Sequence, residues 1–246
     1  MRPAADRKLK TRQASVAACE AGKVPEMRCV VTAGPSFEPL DEVRRLTNFS
    51  TGRLGTELAC HLAALGHAVT LFRGELAVWP AGAAVDVGVQ VVSFRSAADL
   101  RGLLERETDG SVGAVFHAAA VSDFRFGRVW RRGAGGSLIE VQAGKLSTRD
   151  GALLAQLLPT PKLIAGLRDW FPRARLVGWK YEVDGGREGA IERARAQLRE
   201  CRTDACVVNG PAYGPGFGVL RVDGSVTHAG DPGRLLAELT RRGVSQ

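Results

Sequence analysis

Short β-branched runs alternate along this chain with stretches in which apolar residues recur every three or four positions. The first run, Cys29–Ala33 (CVVTA), reads as a buried strand, and Gly34-Pro35 ends it. A polar loop of about twenty residues follows, up to a second break at Ser50-Thr51-Gly52. Leu54, Leu58, Leu62 and Leu65 then share one helix face, with Ser50 or Thr51 placed to cap the first turn. His67–Phe72, Val89–Phe94 and Val112–Ala120 are the next strands, with a loop over Arg73–Val85, and Ser96 opens a helix over Ala97–Glu107. Farther on, the pattern predicts helices over Lys162–Trp170, Glu188–Arg202 and Pro232–Arg241, and strands at Arg175–Trp179 and Asp204–Asn209. Phe217–Val222 and Ser225–His228 read as a hairpin around the turn pair Asp223-Gly224.

Strands separated by helices argue for an α/β fold, a mostly parallel sheet with crossover helices on its faces. In such sheets the ligand lies beyond the carboxyl ends of the strands, where Gly34 and Ala118–Asp123 fall. Phe124–Val141, rich in Arg and Gly, breaks the alternation and reads as a protruding flap with a hairpin as its simplest form. An apolar segment, Leu153–Leu158, then leads to Pro159 and Pro161. No internal repeat or second domain boundary is visible. Residues 28–246 are expected to form one domain, with the flap at about 124–147, after a flexible basic extension over 1–27.

The 246 residues are 45% apolar, enough for a full core. The formal charge is +8; residues 1–27 hold six basic and three acidic residues, which leaves +5 on the body. A modest basic excess suits phosphate-bearing ligands. There is no basic helix, zinc motif or interleaved aromatic stripe, so nucleic acid is not an expected partner. No run of about eighteen apolar residues is present, and no apolar segment follows the basic N-terminus, so neither a membrane span nor a secretory signal is expected. Cys19, Cys29, Cys60, Cys201 and Cys206 form no CxxC pair, and two lie in apolar runs. Reduced thiols in a cytoplasmic protein are the expected state.

The long loop is the unusual feature. Loops between a strand and the next helix usually have about 2–6 residues, and a long ordered one is usually functional. The helix start beside it offers free backbone N–H groups to an anion. Val31-Thr32-Ala33-Gly34, Glu38-Pro39, Asp41, Val43-Arg44, Asn48, Ser50, Gly52 and Leu54-Gly55 together resemble the signature of phosphopantothenate–cysteine ligases of coenzyme A biosynthesis. A lone GxGxxG would be weak; this spaced string is far more specific. The likeness continues more loosely to about residue 220 and implies a Rossmann-like sheet.

The resemblance also implies roles. Asn48, otherwise an ordinary turn residue, would contact the activated acyl intermediate, with Gly34, Ser50, Gly52 and Ala120 on the acid substrate. His117, Ala118, Ala119 and Asp123 would approach the nucleotide, and Asp123 is also a candidate magnesium ligand. By itself His117 reads as a packed strand residue. Lys145 matches the first lysine of a family element that faces the nucleotide phosphates, where a cation stabilises developing charge. Thr160-Pro161-Lys162-Leu163 and Gly178-Trp179 resemble two further nucleotide elements. The implied chemistry is CTP- and Mg2+-dependent condensation of 4′-phosphopantothenate with cysteine, by a homodimer. Three departures weaken the nucleotide half: Lys162 replaces an acidic residue, Gln197 and Cys201 stand where the family has two lysines, and acidic and amide residues are missing after Gly216-Phe217-Gly218. Two other readings stay open. One is a repurposed paralogue that binds a nucleotide or phosphorylated acid without catalysis. The other is an NAD(P)-dependent short-chain reductase, although Thr51-Gly52-x-x-Gly55 comes late for one, and neither Tyr181 nor Tyr213 has a lysine four residues on.

Overall fold

The computed structural model describes residues 26–241, so the expected N-terminal extension lies almost wholly outside the described residues. Its centre is an eight-stranded sheet. Six strands are parallel: β1 (Arg28–Ala33), β4 (Ala68–Gly74), β5 (Gln90–Phe94), β6 (Val112–His117), β10 (Arg175–Tyr181) and β11 (Ala205–Asn209). Two more, β12 (Phe217–Arg221) and β13 (Val226–Ala229), add antiparallel as the expected hairpin. The spatial order is β13-β12-β11-β10-β6-β1-β4-β5. From β1 the chain builds outward first through β4 and β5, then returns to build the other way from β6. The order therefore reverses between β1 and β6, where an open α/β sheet leaves a crevice.

The helices follow from the same alternation. In β1, Cys29, Val31 and Ala33 pack into a cluster with Leu58, Leu62, Leu235 and Leu239 on one face. Val30 faces the other way, toward Leu100, Leu104, Leu163 and Leu167. So α1 (Arg53–Ala64) and α6 (Pro232–Thr240) cover the first face. The second is covered by α3 (Ala97–Arg106) and α4 (Leu163–Trp170), joined by α5 (Arg187–Glu200) over its own cluster of Ala190, Ala194 and Leu198. Ser96 caps α3 through a reciprocal pair of bonds with Asp99, at 3.1 and 3.0 Å. A short helix, α2 (Gly82–Asp86), interrupts the expected loop after β4.

Two expectations are corrected. The cap of α1 is Gly52, not Ser50 or Thr51. Gly52 sits at φ +79°, a left-handed conformation, and lies so close to its neighbours that a Cβ would come within 2.8 Å of the Ala77 Cβ. The two hydroxyls reach the first N–H groups only at 3.4 Å. The flap is not a lone hairpin either. β7 (Phe124–Arg132) pairs with β8 (Leu138–Glu140) on one side and with β9 (Leu153–Pro159) on the other. The apolar segment at Leu153–Leu158 is thus the third strand of the flap.

α1 packs onto β1 at Gly55, where a Cβ would lie 2.6 Å from the Ala33 Cβ and 2.9 Å from the Thr32 carbonyl oxygen. Gly55→Ala should therefore lose about 1–3 kcal/mol, because overpacking against backbone outweighs the gain in helix propensity. Urea unfolding measures this, and an unchanged midpoint would mean that the helix shifts freely.

Candidate functional site

The long loop after β1 is folded, not slack. Within it β2 (Phe37–Pro39) and β3 (Arg45–Thr47) form a small antiparallel hairpin. Buried Glu38 accepts the Ala97 N–H at 3.0 Å, so a carboxylate sits on the first turn of α3, where the helix dipole favours it. The hairpin returns the chain to the crevice at Asn48.

The crevice itself is backbone. The pairing of β1 and β6 continues past both strand ends: Ala118 N–H donates to Thr32 at 3.2 Å, Ala120 N–H to Gly34 at 2.9 Å, and Ser36 N–H to Ala120 at 3.1 Å. The Ser36 hydroxyl accepts the Ser122 N–H at 2.8 Å. The half-buried Asn48 side chain donates from Nδ2 to the Ala120 carbonyl at 2.8 Å. That bond fixes the amide plane and uses one of its two hydrogens. Gly52 lies against Gly34, within 3.4 Å of its Cα counted from an added Cβ. Gly34, Asn48, Gly52 and Ala120 are therefore brought together, with Ser50 at the edge of the same turn.

His117 stays inside. It is 7% exposed, and its Nδ1 lies 3.0 Å from the Thr32 hydroxyl. That hydroxyl also accepts the Ala119 N–H at 3.1 Å, so it ties the ring to the backbone of the β6 end. Burial pushes the imidazole pKa down to about 4. A neutral, buried ring bonded to Thr32 is a strut under Ala118 and Ala119.

Asp123, Thr160 and Lys162 form a second group beside the crevice. Thr160 N–H donates to the Asp123 carbonyl at 2.9 Å, and its hydroxyl donates to the Ser122 carbonyl. Lys162 Nζ is 2.5 Å from Asp123 Oδ1, and both side chains are exposed. Pro161 is exposed, whereas Leu163 is buried in the core under α4. Trp179 and Gln197 come at β10 from different faces. The Trp179 ring packs with the α1–α6 cluster, and its indole N–H is buried without a partner. Gln197 donates to the Trp179 carbonyl at 3.2 Å from the α5 side. Cys201, the C-cap of α5, is buried.

Lys145 lies at the far end of the β2–β3 hairpin from Asn48, roughly 13 Å along four extended residues. Its position is set by the turn at Asp41–Arg44, whose hold on the Lys145 segment the sequence does not reveal. Asp41 accepts N–H groups of Val43, Arg44 and Leu146 at 2.9, 2.7 and 3.1 Å. Arg44 donates to Asp41 at 3.0 Å and to the Leu146 carbonyl at 2.6 Å. Glu42 N–H donates to Gly144 at 2.9 Å. Burial pushes the Asp41 carboxyl up, but the bonds from Leu146, Val43 and Arg44 outweigh it and hold the pKa at about 2. Lys145, itself exposed, is thus clamped at both flanks. The turn spacing Asp41-x-x-Arg44 could have signalled a local Asx turn; its grip on residues a hundred positions away could not be read.

For magnesium, no group of three or more His, Cys, Asp or Glu residues able to hold an ion occurs among the described residues. Asp123 fits as a single carboxylate contact, which suits an ion held mostly by phosphate and water.

Residues 24–230 match the family model of the DNA/pantothenate metabolism flavoprotein C-terminal domain. The chain belongs to this family. It is 31% identical over 183 residues to the coenzyme A biosynthesis bifunctional protein CoaBC of Thermococcus kodakarensis, covering 74% of this chain and 41% of that protein. The corresponding figures for CoaBC of Bacillus subtilis are 33% over 192 residues, 77% and 42%. The chain spans less than half the length of these curated relatives. Among solved structures it superposes on the DNA/pantothenate metabolism flavoprotein of Streptococcus pneumoniae with a TM-score of 0.72 at 22% identity, covering 87% of this chain and 96% of that one. For the C-terminal domain of a CoaBC protein the TM-score is 0.65 at 25% identity, with 87% and 91% covered. The fold of the DNA/pantothenate metabolism flavoprotein family is therefore the Rossmann-like sheet expected from the sequence. No helix among the described residues is long and apolar enough to cross a membrane.

Proposed function

We propose that this chain is the ligase that joins 4′-phosphopantothenate to cysteine, using CTP. The substrate carboxylate attacks the α-phosphorus of the nucleotide and expels pyrophosphate, giving an acyl-nucleotidate. The cysteine amine then attacks the acyl carbon, loses a proton and releases CMP. No covalent bond to the protein is needed, so the chain's task is to position reactants and meet phosphate charge.

The observation that carries this reading is Asn48, its amide anchored on Ala120 inside the β1–β6 crevice. A fixed amide there can orient an acyl group between two strand ends whose small residues let it approach the backbone. Lys145 supplies a cation for the first displacement, held ready by Asp41 and Arg44. Magnesium, bound beside Asp123, would neutralise triphosphate charge. The proposed homodimer explains why Lys145 sits so far along the hairpin from Asn48: each would serve a shared site. Phe124, Leu138, Ile139, Leu154 and Leu157 are exposed on the three-stranded flap, the kind of apolar surface a second copy covers. The inward-facing Gln197 and buried Cys201 favour one other reading, a paralogue that binds the same ligands without turnover.

Pyrophosphate release decides between them. With phosphopantothenate, cysteine and Mg2+ present, CTP should give stoichiometric pyrophosphate, and omission of phosphopantothenate should stop it. Binding of both substrates with no pyrophosphate from any nucleoside triphosphate would establish the non-catalytic reading instead.

A further inference from the structure

The cations best placed beside the crevice are not on α5. Gln197 is tied to backbone, and a Cβ on Gly178 would lie 2.6 Å from Ile164 Cδ1 and 3.0 Å from Gln197 Nε2. Side chains of α4 and α5 thus fill the space over β10 at Gly178. Lys180 stands two residues farther along β10, so it shares that face and lies nearer the carboxyl end of the strand. Its Nζ is 3.4 Å from Glu182, and its side chain is 34% exposed. Lys162 stands just before α4, paired with Asp123. Ile164, two residues past Lys162, packs on β10 at Gly178, two residues before Lys180, so the two lysines flank one region.

Both pairings are easily exchanged. The Lys162–Asp123 side chains are 65% and 60% exposed, and such surface pairs contribute about 0–1 kcal/mol. Glu182 keeps a second partner, Arg193, at 2.5 Å when Lys180 turns away. A triphosphate offers several charged oxygens to each ammonium, against one carboxylate. We infer that Lys162 and Lys180 are the cations that hold the nucleotide phosphates in this chain, exchanging Asp123 and Glu182 for phosphate oxygens. This rests on the nucleotide-dependent reading above, and it places the phosphate contacts on β10 and the start of α4 instead of on α5.

Titration calorimetry of the full chain with CTP, with ATP in parallel, and with cytidine tests it. The parent, Lys162→Gln, Lys180→Gln and Lys180→Arg are compared, with circular dichroism to confirm folding. Each glutamine variant should bind triphosphate about tenfold more weakly, leave cytidine binding unchanged and show a shallower salt dependence; arginine should restore most of the affinity. Parent-like CTP binding in both glutamine variants would overturn the inference and leave the ligase reading standing. A parent that binds neither triphosphate would overturn both.

Discussion

Lys145→Ala should fail to form the acyl-nucleotidate, whereas Asn48→Ala should form it and then transfer it poorly to cysteine. The division follows from where the two side chains are held. Lys145 is an exposed ammonium on a segment whose neighbours on both sides are bonded to the 41–44 turn. A preorganised cation acts on charge that develops on phosphorus-bound oxygens, and removing one such group costs on the order of 10²–10³ in rate. Asn48 presents an amide whose plane is set by the Ala120 carbonyl. An uncharged, oriented amide contributes little to phosphoryl charge and much to aligning an acyl carbon for amine attack. Single-turnover reactions with the intermediate trapped by acid quench separate the steps. Lys145→Ala should lose the pyrophosphate burst; Asn48→Ala should keep the burst and accumulate intermediate. Equal loss of both steps in both variants would end the proposed division of labour.

The second large effect is on stability in acid. The His117 imidazole is held neutral by burial, with its pKa lowered from 6.5 to about 4. The unfolded chain therefore binds a proton that the folded chain refuses between those values. Stability is full above pH 6.5 and falls as pH drops toward 4, by roughly 3 kcal/mol from this residue alone. Urea midpoints at pH 7, 5.5 and 4.5 should trace that decline. His117→Gln should be less stable at pH 7, since it loses the fit to Thr32, but its midpoint should fall less between pH 7 and 4.5. If parent and variant decline in parallel, the ring is not neutral in the folded state.

The strand–helix alternation, the closing hairpin and the Ser96 cap were all legible in the sequence, because burial imposes periods of 2 and 3.6 that survive in any short window. So was the crevice, since a parallel sheet opens at its carboxyl edge where Gly34 and Ala118–Asp123 fall. Other features depend on contacts between distant segments. Gly52 displaced two good capping residues because only glycine fits against Gly34 and Ala77. Leu153–Leu158 became a flap strand because β7 offered an unpaired edge. Asp41 and Arg44 acquired their task only when Leu146 arrived beside them, 105 and 102 residues away. His117 was assigned its neutral charge by burial against Thr32, and Trp179 and Gln197 were separated by the faces of one strand. Local pattern sets which elements form, because it is written in each residue's own hydrophobicity. Protonation, clamping and cation placement depend on what the folded chain puts next to each group, and only the tertiary structure supplies that.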